Sequence, residues 1–354
     1  MHFKILSHAG ISITEKKFTL IIDPWILGSC YWRSWWNYPE INKSELKDLN
    51  ADAIYITHLH WDHFHGPSLV KYFDKNIKIF VPKVLTTRMI DDLNYLGFKN
   101  IVEIPHGKSE ELVPGFEIFS YQFGPGVDSA LMVSTNNYNL FNANDCKTFG
   151  LSLNRIKKRH GKIDFTFRSH SSANAIPYCI ESHEKEFSTY RTQKDYCEEF
   201  SAFCQKLETT YAIPFASNHC FLHKETKKYN SLAANPEMIP ATFNKMKIEN
   251  KSNSEVIIMP PGSTWNSKTK KFEIRKFNYK TSDLYINELS KINEKKLKNQ
   301  YEIEDQTEAN FSNFKKYFEK FIKSIPYFLK MQFKIPIQFI INDVNGCLLY
   351  TSPS

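Results

Sequence analysis

Residues 57–66 constrain the fold and the chemistry of this chain more than any other segment. They read Thr-His-Leu-His-Trp-Asp-His-Phe-His-Gly and place four histidines and one carboxylate within eight residues. The apolar run 53–56 before them is typical of a buried strand. Imidazole and carboxylate groups bind Zn²⁺ or Fe²⁺, and a turn at a strand end can direct several side chains to one point. A histidine-rich surface turn would explain an isolated His-x-His pair, but this longer pattern predicts a metal site.

Strand-like and helical segments alternate along the chain. Residues 1–23 read as three short strands, which end at Pro24 because proline cannot continue a hydrogen-bonded ladder. Beyond the histidine-rich segment, a helix is predicted at 67–73, a strand at 77–81 and a helix at 84–96. This alternation indicates an α/β protein with layers of sheet and helix.

Further candidate ligands follow later strands, as the first histidine motif does. Asp145 closes the apolar strand that contains Phe141. An isolated Asp at a strand end is usually an Asx turn, but the histidine-rich segment favours a carboxylate that bridges two cations. Other histidines follow predicted strands in the same way: His170, His219 and His223.

Length, charge and cysteine content limit the functional classes. The 354 residues are 42% hydrophobic, and no apolar run is long enough to cross a bilayer. The seven scattered cysteines form no Cys-x-x-Cys pair, and residues 1–6 lead into a strand without a secretion signal, so we expect a soluble cytoplasmic protein with reduced thiols. The formal net charge of +8 favours a small anionic substrate. Basic residues occur in short groups among acidic ones, which makes nucleic acid an unfavoured partner.

The composition changes after residue 270. Lys, Glu and Asn dominate residues 282–323, with periodic apolar residues that predict amphipathic helices. We therefore divide the chain into a main domain at 1–270 and a helix-rich extension at 271–346. Residues 347–354 resemble translated adaptor sequence and are interpreted as a non-native tail.

Together these residues resemble the metallo-β-lactamase fold superfamily. The resemblance covers about residues 1–270 and implies an αββα sandwich with one or two metal ions at the sheet edges. It is nearest to the branch that contains the metallo-β-lactamase-like part of CMP-N-acetylneuraminate hydroxylase. The motifs that carry it are His8-Ala9, Asp23-Pro24-Trp25, His60-Trp61-Asp62-His63, Asn144-Asp145-Cys146, Pro214-Phe215-Ala216-Ser217 and Pro261-Gly262.

The resemblance also implies roles for individual residues. His58 and His60 would bind a first metal ion, Asp62 and His63 a second, and Asp145 would bridge the two. Asp62 would also act as the catalytic carboxylate that orients the nucleophile.

Two positions depart from the superfamily pattern. A third histidine usually binds the first metal, but residues 121–128 contain none. Either Gln122 or Asp128 replaces it, or the first metal is weakly held. An oxygen ligand there would shift the preference of the site from zinc toward iron or manganese. For the last ligand we favour His219, with His223 and His170 as alternatives.

The leading functional hypothesis is a metal-dependent hydrolase that uses a metal-activated hydroxide on an ester, amide or phosphoester. The alternative is an iron-dependent oxidoreductase, resembling the hydroxylase, that acts on a nucleotide sugar or related metabolite. Because the sequence lacks the Cys-x-His pairs of a Rieske cluster, that chemistry would need a redox partner or a further segment. A nuclease and a catalytically weak ligand-binding homologue are the remaining hypotheses.

Overall fold

The structure is a computed structural model that describes residues 1–47, 49–123, 128–146, 148–171, 192–233, 235–308, 311–325, 327–331, 338–343 and 346–351. Strands and helices alternate through most of this length. The strands are β1 (His2–Ile5), β2 (Ile11–Glu15), β3 (Phe18–Ile22), β4 (Ser29–Cys30), β5 (Trp35–Asn37), β6 (Ala53–Tyr55), β7 (Lys78–Pro82), β8 (Ile101–Ile104), β9 (Ser109–Val113), β10 (Phe116–Phe123), β11 (Asp128–Thr135), β12 (Asn139–Asn144), β13 (Phe165–Arg168), β14 (Tyr211–Pro214), β15 (His219–Phe221), β16 (Glu255–Val256), β17 (Thr264–Asn266), β18 (Lys271–Glu273), β19 (Gln338–Asp343) and β20 (Gly346–Thr351). The helices are α1 (Gly66–Tyr72), α2 (Arg88–Tyr95), α3 (Gly150–His160), α4 (Gln193–Leu207), α5 (Ile239–Glu249), α6 (Ser282–Ile292), α7 (Glu294–Gln306), α8 (Phe311–Ser324) and α9 (Tyr327–Lys330).

The first sheet contains eight strands in the order β18-β17-β1-β2-β3-β6-β7-β8. β1, β2 and β3 are antiparallel, and β1 buries Phe3 and Ile5 while the alternate residues are half-buried. From β3 to β8 the strands run parallel, and all three residues of β6 are buried. Continuous burial is expected of a parallel strand that is covered on both faces.

The second sheet contains seven strands in the order β16-β14-β13-β12-β11-β10-β9. β9 to β12 are antiparallel, and β12, β13, β14 and β16 are parallel. The sequence pattern did not predict β9, because this edge strand carries polar residues that are exposed or half-buried.

The two sheets pack face to face between two layers of helix. The Phe3 ring lies 5.1 Å from the ring of Phe165 and 5.5 Å from that of Phe167 across the sheet interface. On the outer face of the first sheet, Leu69 of α1 and Leu93 of α2 join a buried cluster with the strands. On the outer face of the second sheet, residues of α3, α4 and α5 do the same. The predicted αββα sandwich is confirmed.

The aromatic loop after Pro24 forms part of a smaller sheet, which has the order β15-β5-β4. Its backbone takes a left-handed conformation at three consecutive non-glycine residues, with φ of 50° at Tyr31, 51° at Trp32 and 61° at Arg33. Such a conformation costs energy in L-residues and persists where the surrounding structure fixes it. It brings the Tyr31 side chain to the motif at residues 57–66.

The chain divides into two compact units, Met1–Asn287 and Glu288–Ser354. The predicted boundary after residue 270 lies inside the first unit, between the paired strands β17 and β18. The second unit contains α7, α8 and α9 and the β19–β20 hairpin. This hairpin includes part of the segment 347–354, and residues 352–354 lie outside the described residues. The assignment of that segment as a non-native tail stays a prediction.

None of the described helices is both long and apolar enough to cross a membrane.

Candidate metal centre

The histidine-rich segment is a tight loop between β6 and α1. The amides of His63 and Phe64 both donate to the carbonyl oxygen of His60, at 3.0 and 2.7 Å, which closes the turn. His65 ends the loop as the N-cap of α1, where its Nδ1 accepts a hydrogen bond from the Ser68 amide. His65 therefore has a structural role, and the other three histidines of the loop remain for the site.

Asp23, at the end of β3, orients the loop. Its Oδ1 accepts a hydrogen bond from the Thr57 amide at 2.8 Å, and its Oδ2 accepts one from the Thr57 hydroxyl at 2.6 Å. The same Oδ2 lies 2.7 Å from Nδ1 of His63. Nδ1 of His58 lies 3.0 Å from the Thr57 hydroxyl oxygen. Because the Nδ1 atoms of both histidines are held in this way, their Nε2 atoms are the ones left to bind a ligand.

The first group of potential ligands consists of His58, His60 and Asp128, whose ligand atoms all lie within 4.8 Å of one another. Asp128 begins β11, which runs antiparallel to β12, so it lies at the edge where β12 ends. Gln122, the other predicted substitute, instead uses its side-chain amide to donate to the Ile104 carbonyl and the Ser120 hydroxyl. The structure thus places Asp128 beside the two histidines, while Oε1 of Gln122 is buried without a hydrogen-bond partner among the described residues.

The second group consists of His58, His63 and Asp145. Oδ1 of Asp145 lies 3.6 Å from Nε2 of His58 and 3.6 Å from Nε2 of His63. The preceding residue, Asn144, has a left-handed φ of 40° and donates from its side chain to the Ser129 carbonyl at 2.9 Å. This kink turns Asp145 toward the loop at a position between the two histidines, which is the position a bridging carboxylate needs.

The third group consists of His8, Asp62 and His63, all of them buried. Oδ2 of Asp62 lies 3.1 Å from Nε2 of His8 and 3.4 Å from Nε2 of His63. Its other oxygen, Oδ1, accepts a 2.5 Å hydrogen bond from the Tyr31 hydroxyl. Asp62 is therefore held at one oxygen while the other faces two imidazoles.

The remaining predicted histidines lie in none of these groups. His219, in β15, is buried and stacks on the Trp35 ring with a centroid distance of 3.7 Å. Nδ1 of His223 accepts a hydrogen bond from the Glu225 amide at 3.3 Å. His170 is buried after β13, and its amide donates to the Ser217 hydroxyl.

Burial and charge shape the ionisation of the centre. Burial opposes ionisation of Asp62, but the neighbouring His63 and His8 lower its pKa well below the ordinary value. Burial disfavours the charged form of His63, but the carboxylates around it, Asp145 first, raise its pKa well above the ordinary value. Burial also lowers the pKa of His58, as does the nearby charge of His63. The centre thus contains ionised carboxylates packed against imidazoles.

These residues fit a divalent cation. Burying a nitrogen or oxygen atom without a hydrogen-bond partner costs free energy, because nothing replaces the hydrogen bonds to water that the atom loses. Several such atoms point into this centre, and each is of a type that binds Zn²⁺, Fe²⁺ or Mn²⁺. They include Nε2 of His58, Nε2 of His63, Oδ1 of Asp128 and Oδ1 of Asp145. In the part of the chain that the structure describes, Oε1 of Gln122 and both ring nitrogens of His219 are also buried without a hydrogen-bond partner.

Sequence reasoning did not assign roles to three residues of the centre. His8 and Asp23 lay in motifs that carried the resemblance, and the only signal for a direct role was their position just after predicted strands. Tyr31 lay in an aromatic loop that could equally wall a pocket or anchor a long connection. No sequence signal pairs its hydroxyl with Asp62, because that contact depends on the left-handed turn.

The comparisons with known sequences found relatives that are named for an iron-sulfur group and for a hydroxylase. The chain is 26% identical over 284 residues to a protein of Mycolicibacterium smegmatis named as a Rieske 2Fe-2S iron-sulfur protein, a match that covers 75% of this chain and 53% of that protein. It is 30% identical over 149 residues to cytidine monophosphate-N-acetylneuraminic acid hydroxylase of Xenopus laevis, which covers 40% of this chain and 25% of the hydroxylase. The chain thus spans about half the length of the first relative, and no protein-family model matches it.

The comparisons with solved structures concern the fold. A variant of CmlA β-hydroxylase superposes with a TM-score of 0.54 at 14% identity, over 75% of this chain and 53% of that chain. An isothiocyanate hydrolase from Delia radicum gut bacteria superposes with a TM-score of 0.51 at 16% identity, over 75% of this chain and 99% of that chain. The same architecture therefore occurs in a hydroxylase and in a hydrolase. The chain has the metallo-β-lactamase fold that its motifs predicted.

Proposed function

We propose that this chain is the dinuclear metal-binding part of an iron-dependent oxidoreductase that hydroxylates a small anionic metabolite. The observation that carries the proposal is the position of Asp128 beside His58 and His60, within 4.8 Å of both. A carboxylate at the place of a third histidine makes the first site harder, which favours iron or manganese over zinc. Asp62 and Asp145 add two further carboxylates to the centre.

The sequence relatives support the same chemistry. They are named for a Rieske iron-sulfur group and for a hydroxylase, whereas the likeness to a hydrolase is at the level of fold. The chain itself contains no Cys-x-His pair. We therefore propose that electrons reach the centre from an iron-sulfur group on a partner protein or a further segment.

The residues of the chain have separable roles in this proposal. His58, His60 and Asp128 would hold one ion, Asp62 and His63 the other, with Asp145 between them. When bound, the ions would activate dioxygen, so that one oxygen atom enters a C–H bond of the substrate and the other leaves as water, with two electrons from the partner and two protons from solvent. The chain contributes the orientation of its ligands through Asp23 and Tyr31, and a net charge of +8 that favours an anionic substrate.

Hydrolysis is the second candidate. It is favoured by the position of Asp145, whose Oδ1 is equidistant, at 3.6 Å, from Nε2 of His58 and Nε2 of His63. A carboxylate that bridges two ions suits a site in which one ion carries the attacking hydroxide and the other stabilises the leaving group.

Metal content and reactivity distinguish the two functions. The full chain would be purified without chelator and also reconstituted anaerobically with ⁵⁷Fe²⁺. We expect two irons per chain, a coupled pair in the Mössbauer spectrum and dioxygen consumption after chemical reduction. Two retained zinc ions with hydrolysis of an activated phosphodiester, and no dioxygen consumption, would instead support the hydrolase. His60→Ala should lose the first ion, whereas His106→Ala, at an exposed histidine, should not.

A further inference from the structure

We infer that His8 is a ligand of the second metal ion, in the position for which His219 was the predicted residue. The inference rests on the proposed dinuclear centre and concerns which side chain completes it. It starts from the third group of potential ligands, in which Nε2 of His8, Oδ2 of Asp62 and Nε2 of His63 lie within 4.8 Å of one another.

Two hydrogen bonds from outside its own sheet fix the backbone of His8. Its amide donates to Oδ1 of Asn37 at 2.9 Å, and its carbonyl accepts a hydrogen bond from the Ala216 amide at 2.9 Å. The turn that follows β1 is closed by a 2.7 Å hydrogen bond from the Leu6 amide to the Gly10 carbonyl. A Cβ at Gly10 would lie 2.3 Å from the Ser7 hydroxyl oxygen, so a larger residue there would displace the Ser7 side chain, which accepts a hydrogen bond from the Gly10 amide. The Cα of His8 is thereby held at the edge where the two sheets meet.

The ring of His8 is fixed as well. It is 1% exposed and lies between the indoles of Trp25 and Trp35, with centroid distances of 5.6 and 6.0 Å. A ring held by packing loses little conformational freedom on binding an ion, which is the condition for a preorganised ligand.

The two carboxylate oxygens of Asp62 have different partners. The Tyr31 hydroxyl takes Oδ1, so the oxygen available to an ion is Oδ2, the atom that faces His8 and His63. Nδ1 of His63 is taken by Asp23, which leaves its Nε2 directed toward the same point. One carboxylate oxygen and two imidazole nitrogens therefore converge, and this is a ligand set that suits a divalent transition metal.

His219 is less suited to the same position. Its ring stacks on Trp35 at 3.7 Å with an interplanar angle of 6°, and its centroid lies 5.2 Å from that of His8. Over the part of the chain that the structure describes, no group of three ligand atoms within 4.8 Å of one another includes His219. His8, in contrast, reaches the Asp62 carboxylate directly, at 3.1 Å.

The experiment compares His8→Gln, His8→Ala, His219→Ala and, as a matched control, the exposed His106→Ala. The amide side chain introduced by His8→Gln can replace the hydrogen bond to Asp62 but is a poor metal ligand, so this variant separates coordination from positioning. Each full-length chain would be titrated with Co²⁺, following visible absorption and bound metal after gel filtration, with circular dichroism to confirm folding.

We expect two cobalt ions per chain in the wild type, the His219→Ala variant and the His106→Ala variant, and one in both His8 variants. If His8→Gln retains two ions and only His8→Ala loses one, His8 positions Asp62 and the inference is wrong. Loss of an ion in His219→Ala with two retained in His8→Gln would also overturn it. If the wild type itself binds fewer than two ions, both the inference and the proposed dinuclear centre fail.

Discussion

The hydroxyl of Tyr31 donates a 2.5 Å hydrogen bond to Oδ1 of Asp62 and so selects which carboxylate oxygen faces the centre. The Tyr31 ring also stacks on Trp61, with a centroid distance of 5.7 Å and an interplanar angle of 15°. The aromatic loop therefore contacts the histidine-rich segment through both a ring face and a hydroxyl. Loops that are positioned in this way by strained backbone often serve functional sites.

Tyr31→Phe removes this hydrogen bond and preserves the ring stack. We expect about 10- to 100-fold weaker binding of the second ion, because a ligand whose supporting hydrogen bond is lost is no longer preorganised. Competition between the protein and a chromophoric chelator for Co²⁺ measures the change. Tyr95→Phe, at a tyrosine that is 91% exposed, is the matched control and should bind as the wild type does. Equal affinity in Tyr31→Phe would show that Asp62 needs no such support.

Asp23→Asn tests the orientation of His63. In the variant, an amide N–H group would replace the carboxylate oxygen that now faces the Thr57 hydroxyl and Nδ1 of His63. Because that oxygen would no longer accept a hydrogen bond from Nδ1, the tautomer of His63 would no longer be fixed. We expect a loss of affinity for the second ion of about 10- to 100-fold, together with lower stability. Rates of metal release to excess chelator provide the measurement. Asp52→Asn is the control, because exposed Asp52 also accepts a backbone hydrogen bond, from Thr19 at 2.8 Å, but lies outside the centre. Similar release rates in the two variants would contradict the role given to Asp23.

Asp128→His tests the assignment of the third ligand of the first ion. The variant replaces a carboxylate oxygen by an imidazole nitrogen, so we expect retention of zinc relative to iron to rise by about tenfold or more. Bound metal is measured after equilibration with equal concentrations of Zn²⁺ and Fe²⁺ under anaerobic conditions. Gln122→His places a histidine on the paired strand β10 and should leave the ratio unchanged. The reverse result would identify Gln122 as the replaced ligand.

His160 gives a prediction about stability that is independent of the metal. Its Nε2 accepts a 2.6 Å hydrogen bond from the Tyr121 hydroxyl, and burial, together with the charge of Arg159, lowers its pKa to about 4. The ordinary pKa of histidine is about 6.5, so between pH 6.5 and 4 the unfolded chain binds a proton that the folded chain does not. The contribution of the neutral ring to the free energy of unfolding is therefore complete above pH 6.5 and is lost progressively as the pH falls to about 4.

The His160→Gln variant keeps an acceptor for Tyr121 and does not titrate. We expect the free energy of unfolding of the wild type to fall more between pH 7 and pH 5 than that of His160→Gln, as measured by urea denaturation at both values. A proton NMR titration of the folded wild type locates the His160 midpoint directly. A midpoint near 6.5 would refute the prediction.

The local sequence determined much of this protein, because strand and turn signals depend on near neighbours. The apolar run at 53–56, followed by histidines and Asp62, was sufficient to predict a strand that ends in a metal-binding loop. Asp145 was predicted as a ligand in the same way, and the alternation of strands and helices was sufficient for the layered fold. Residues 121–128 contain no histidine, so the residue types in this short segment limited the candidates for the third ligand of the first ion to Gln122 and Asp128.

Only the tertiary structure could decide between alternatives that differ in the direction of a side chain. Asp128 lies beside His58 because β11 begins at the edge where β12 ends, and register is a property of the paired sheet. His8 meets Asp62 because the ends of β1 and β6 lie at one edge of the sandwich, although the two residues are far apart in sequence. The local sequence was sufficient to predict where strands end. Sheet order, packing and left-handed turns determine which side chains at those ends come together.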